Sequence, residues 1–333
     1  MYLKKFLITA IASSASLTTL CASAIPGIDL LDVFQGGGKW SITAEGNYLT
    51  QNNALPPFGE VQNVSLSNPG TDFLNYPTGN DWGWGVGIGY TFASNAHDVR
   101  FSYHTIRSDN SDTVLTTDNT STTTTFFPAF GNPGDGGSVN ARNQQDFQIY
   151  DLTVGNICAF TDRITGRFGY GISYVDIYQR GSATPTYPVV VYPLTATAYL
   201  ENKSTFQGIG PKFTGDLDVK LFGGLSFIIG GGVSALFGES KAKVDALPNT
   251  VYTPPFEVDE SKNSVAWGVE SNAGFRYDYV INDKSAVNVE IGYKGTDIIN
   301  AFQGGNVEDL SNFSYDTNYY NYGGYITVGV AFL

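Results

Sequence analysis

The stretch that decides the fold is Asp81-Trp82-Gly83-Trp84-Gly85-Val86-Gly87-Ile88-Gly89-Tyr90-Thr91-Phe92. Trp82, Trp84, Val86, Ile88, Tyr90 and Phe92 alternate with glycines, and a period of two sends the two sets to opposite faces of a strand. A strand in a water-soluble sandwich turns a polar face outward, whereas here one face is wholly apolar and the other is nearly bare. That pattern suits a lipid wall around a narrow interior.

The alternation recurs on both sides of this segment. Trp40, Ile42, Ala44 and Tyr48 oppose Ser41, Thr43, Glu45 and Asn47. Val99, Phe101 and Tyr103 oppose Arg100, Ser102 and His104, and the run from Ile164 to Tyr174 opposes Thr165, Arg167, Gly169, Gly171 and Ser173. Later strands are expected around 265–277 and 287–293, with less regular ones at 146–156, 206–219 and 225–237. Tyr322 to Phe332 closes the series with an aromatic residue next to the C-terminus, as outer-membrane barrels commonly do. The expected fold is all-β, an antiparallel up-and-down transmembrane barrel of about ten strands.

Composition agrees. The 333 residues include 39 Gly, 22 Phe, 21 Tyr and 4 Trp but one Met, which favours strands over helices. After Leu20 no apolar run approaches the length of a spanning helix. A mean hydropathy of −0.10 is what lipid-facing and lumen-facing residues give when they average out.

The N-terminus, Met1-Tyr2-Leu3-Lys4-Lys5 followed by an apolar stretch and Ala22-Ser23-Ala24, reads as a secretory signal peptide. Residues 1–24 are expected to be removed, and 25–333 to form one barrel domain. On that reading only Cys158 survives, either as an unpaired thiol or in an intermolecular disulfide. The formal net charge of −13 argues against nucleic acid as a partner.

Connections alternate in length. Short ones are expected at 93–98, 157–163, 220–224 and 280–284, and long ones at 51–80, 107–145, 179–205, 238–263 and 295–321. Short periplasmic turns and long outer loops belong to an outer-membrane barrel.

Three motifs, Gly38-Lys39-Trp40, Gly208-Ile209-Gly210-Pro211 and Trp267-Gly268-Val269-Glu270, together resemble the Legionella-type major outer membrane protein family. The resemblance implies porin-like, solute-permeable behaviour at the cell surface of a Gram-negative bacterium.

The expected lumen-facing set is Glu45, Arg100, His104, Asp151, Arg167, Lys212, Glu270, Arg276, Glu290 and Lys294. Opposed charges inside a barrel serve either as a pore lining with a transverse field or as an ion-paired plug. Asp216 and Asp218 read as solvated residues near a periplasmic turn. His104, with Asp109 and Asp112 in reach, is the one candidate for acid–base chemistry of the omptin or lipid-modifying kind, and a hydrogen-bonded structural histidine is the plainer reading. Gly36-Gly37-Gly38-Lys39 fails as a phosphate loop because Trp40 follows the lysine. No zinc spacing or calcium loop is present, so no metal, cofactor or enzymatic activity is expected. The expected function is a passive channel for small hydrophilic solutes or ions. The alternative is a structural or adhesive barrel with little conductance. Expected partners are outer-membrane lipid and the barrel-assembly machinery, with a homo-oligomer and host or envelope contacts through the loops left open.

Overall fold

The computed structural model describes residues 38–52, 54–55, 58–63, 70–92, 97–115, 122–126, 138–186, 199–247, 256–302 and 318–333. The expected signal segment, residues 1–24, lies outside the described residues.

Thirteen strands are formed among the described residues: β1 Lys39–Gln51, β2 Gly59–Asn63, β3 Gly70–Leu74, β4 Asn80–Thr91, β5 His97–Leu115, β6 Thr122–Phe126 and β7 Ser138–Thr161. They continue as β8 Ile164–Thr186, β9 Tyr199–Phe222, β10 Leu225–Leu247, β11 Phe256–Asn282, β12 Ser285–Ile299 and β13 Tyr319–Phe332. Ten of them close an antiparallel barrel in the order β1-β13-β12-β11-β10-β9-β8-β7-β5-β4, and these are the ten segments whose alternation is visible in the sequence. The first and last strands pair along their length, from Trp40↔Phe332 to Gln51↔Asn321, so the barrel has no free edge at this seam.

Residue chemistry sets the tight turns. Between β9 and β10, Gly223 and Gly224 both take positive φ, 56° and 87°, the backbone that a two-residue hairpin needs and a side chain resists. At the β7–β8 turn the Thr161 hydroxyl accepts from the amides of Arg163 and Ile164 at 3.2 and 3.1 Å. At the β11–β12 turn the Asn282 side chain accepts from the Lys284 amide at 2.8 Å.

The outward face is apolar and aromatic. Trp82, Ile172, Ile209, Phe237 and Ile291 are exposed, as lipid contact requires. Rings pair across neighbouring strands in Trp40–Tyr90 (4.9 Å), Tyr48–Trp82 (5.1 Å) and Tyr103–Tyr150 (4.6 Å). β10, apolar on both faces, puts Ile229, Val233 and Phe237 outward and buries Ile228 and Leu236 inward.

Two features differ from the sequence expectation. Much of what reads as long loop is strand: β8 runs on past Tyr174 to Thr186, roughly 40 Å at 3.3 Å per residue. β5, β7 and β9–β11 rise with it, while β12 ends at Ile299 and β4 begins at Asn80, so one side of the barrel stands higher. Polar, low-complexity sequence hides these extensions, because above the membrane the outer face meets water and alternation loses its apolar half. The second difference is a small sheet in the order β3-β2-β6, which joins segments of the first two outer loops.

Candidate functional site

All ten charged or titratable residues of the expected lumen set line one interior cavity of about 490 Å³. Several of their pairs run along the wall and reach over the strand between. Lys212 on β9 is almost fully buried, with its Nζ 2.8 Å from Asp151 Oδ2 on β7 and 2.5 Å from Glu270 Oε1 on β11. The intervening neighbours of Lys212 are Gly171 on β8 and Ser234 on β10, too small to obstruct it. Arg167 on β8 reaches Asp98 on β5 at 2.9 Å across Gly155 of β7, where an added Cβ would stand 2.5 Å from Asp98 Oδ1. Its other nitrogens donate to Thr153 and Thr214 at 3.1 and 3.2 Å.

Arg100 shares Asp98 at 2.8 Å, and Asp216 lies 3.8 and 3.7 Å from Arg100 and Arg167. Arg276 pairs with Asp218 and with Asp278, the latter at 3.4 Å. Lys294 pairs with Glu45, which also accepts from Asn47 at 3.0 Å. Glu290 accepts from the Tyr325 hydroxyl at 2.6 Å.

Asp216 and Asp218, near the β9–β10 turn, also join the internal network, Asp216 with 44% of its side chain exposed and Asp218 more buried. They share inward parity with Lys212 and Thr214 along β9, a signal that the alternation itself carried. Asp98, on the same parity as Arg100, was missed for the same reason. His104 lies with Nδ1 3.4 Å from Glu45 Oε1, close against Gly85, where an added Cβ would stand 2.3 Å from that nitrogen. Asp109, expected within reach of His104, faces outward and pairs with Arg142. His97 opens β5 with its Nδ1 2.6 Å from Asn156 Oδ1. Cys158 is buried in β7.

Above the charges the interior turns apolar. Leu49, Ile106, Phe147 and Ile149 roof the cavity. With Val175, Ile177, Phe206, Leu236, Ala266, Ile298 and Tyr319 from the other strands they form one buried cluster, to which Ala54, Ala301 and Phe302 add from two outer loops. A second cluster above joins Leu55, Phe58 and Tyr76 of the first outer loop to Val139, Ala141, Ala183, Leu200, Val244 and Ala246 of the wall. A polar vestibule under a mainly apolar septum is therefore the geometry of the lumen. The charged set expected from the sequence lines the lower lumen, and the interior above it is mainly apolar.

Fold and lumen together define an outer-membrane β-barrel of ten strands with a charged interior. The chain belongs to the family described as Legionella pneumophila major outer membrane protein precursor, matched over residues 36–332. Its place is the outer membrane. Comparison with curated proteins gives no match. Solved structures with a similar fold include the outer membrane protease OmpT from Escherichia coli, at 12% identity and TM-score 0.42, over 89% of this chain and 96% of that one. The P. putida toluene transporter TodX is similar at 8% identity and TM-score 0.34, over 94% and 93%. A major outer membrane protein from Thermus thermophilus is similar at 10% identity and TM-score 0.31, over 89% and 100%.

Proposed function

We propose that the protein is a porin-like passive channel for small hydrophilic solutes or ions, closed at rest. The observation that carries this reading is the division of the lumen into a charged vestibule of about 490 Å³ and an apolar closure above it. A hydrophobic constriction blocks ions by staying dry, and widening it lets water and then ions through. A wholly structural interior has no need of a cavity of about 490 Å³ lined by both signs of charge.

The cavity lining holds five acids and five bases. The acidic balance of the whole chain therefore reaches the solute path only weakly, and the cation preference of an open state is slight. No catalytic role is assigned to His104, which stands beside Glu45 inside the barrel and away from the outer rim.

The second reading, a structural or adhesive barrel, is favoured by one observation: most septum side chains belong to wall strands, which are less free to swing aside than a loop. Single-channel recording of the refolded mature protein in a planar bilayer separates the two. Brief discrete openings between long closed periods are expected. Complete silence from protein shown to be folded would remove the channel reading and leave the structural one.

A further inference from the structure

The first outer loop, between β1 and β4, does not simply cover the barrel. Ala54, Leu55, Phe58 and Tyr76 are 0–2% exposed, inside the wall. Backbone groups of the loop are met by amide side chains that the strands point inward: Gln145 Nε2 donates to the Asn52 carbonyl at 2.7 Å, Gln179 Oε1 accepts from the Ala54 amide at 3.2 Å, and Asn143 Nδ2 donates to the Pro77 carbonyl at 3.0 Å. Asn202 donates to the Tyr76 hydroxyl at 3.0 Å. Buried backbone needs such partners, and here the wall supplies them.

The wall is also shaped for the loop. Where Tyr76 sits, the strand offers Gly181, and a Cβ there would stand 2.6 Å from the ring. Ala141, Ala183 and Ala246 surround the same cluster.

Magnitudes show why a wall alone leaves a hole. Ten strands about 4.8 Å apart and tilted about 40° give a barrel radius of roughly 10 Å, and side chains fill roughly 5 Å of it, leaving a bore of roughly 10 Å across. One level down, two wall aromatics cross that bore: Phe147 of β7 and Tyr319 of β13 stack with centroids 5.0 Å apart and planes at 13°. Their strands are four steps apart around the ring of ten, close to opposite sides.

We propose that the described part of the first outer loop carrying Ala54, Leu55, Phe58 and Tyr76 is a built-in plug seated in a socket of small wall residues, and that it and the Phe147–Tyr319 bar are two locks in series, either of which suffices to hold the lumen shut. The plug is held by amide hydrogen bonds and apolar contact, so it is the lock that can be released by a change confined to the outer surface.

Three variants are compared by bilayer conductance, each first shown to be folded by heat-modifiable electrophoretic mobility: one with Asn52 joined to Gly79 through a short Gly-Ser turn, one carrying Phe147→Ala, and one with both changes. The single variants are expected to remain as closed as the unaltered protein, and the combined variant to stay open for most of the recording. A single variant that opens fully overturns the two-lock arrangement. A folded combined variant that stays silent overturns the assignment of closure to these two elements. An unaltered protein that is always silent beside a conducting combined variant leaves the locks standing and removes the channel reading, so the two failures are distinguishable. Independently of conduction, Gly181→Leu is expected to expel Tyr76 and expose the loop to chymotrypsin, while the unaltered protein is expected to resist cleavage there. Equal resistance in both proteins would count against the socket.

Discussion

Replacement of Lys212 by Met tests whether the vestibule charges are a coupled network or a set of independent solvated groups. Lys212 is 3% exposed at its side chain, Asp151 10% and Glu270 27%. Removing the cation leaves two carboxylates 2.8 and 2.5 Å from where it stood, one of them largely buried. Breaking a buried ion pair from one side typically costs about 3–5 kcal/mol, and the partial exposure of Glu270 places this case at the lower end, about 3 kcal/mol. In Lys212→Met/Asp151→Asn the buried acid is neutral, so the loss falls to about 1 kcal/mol, and the coupling in the double-mutant cycle is about 2 kcal/mol plus whatever Asp151→Asn costs alone. The assay is reversible urea unfolding in lipid vesicles followed by tryptophan fluorescence. A Lys212→Met loss below about 1 kcal/mol, or double-mutant losses that simply add, would refute a coupled buried network.

Further outcomes follow from the same geometry. Ile172→Arg, on the exposed apolar band, is expected to lose about 2–4 kcal/mol in the same unfolding assay, whereas Ser182→Arg, above the band on the same strand, stays within about 1 kcal/mol. Gly85→Leu forces a side chain into the contact between His104 and Glu45 and is expected to lose about 1–3 kcal/mol by overpacking, with a shifted His104 ring resonance. Outside the membrane, hydrogen bonds from Arg142 hold Asp109 below its ordinary 3.8, against a small desolvation effect and with help from Gln144. A depressed folded value stabilises above the unfolded value and is lost as pH falls through the folded one, so the outer β5–β7 wall is expected to loosen below about pH 4. Hydrogen exchange of the β5–β7 outer amides reads this, and Asp109→Asn should abolish the pH dependence.

The sequence by itself determined the ten barrel strands, their inward and outward faces and the identity of the ten lumen residues. A period of two is a local property, and lipid on one side with a crowded interior on the other writes it directly into residues such as Trp82–Gly83–Trp84. It also held Asp98, Asp216 and Asp218, whose inward parity is plain once their strands are extended. The pairing of those charges was not legible, because Lys212 meets Asp151 and Glu270 only through the register of strands distant in sequence. Nor was the septum: Ile177, Phe206 and Leu236 lie at one level only after ten strands are staggered and closed. The fate of the first outer loop was decided entirely by tertiary structure. Asn52, Ala54 and Tyr76 are ordinary loop residues until Gln145, Gln179 and Gly181, far along the chain, provide the partners and the space that let a polar backbone be buried.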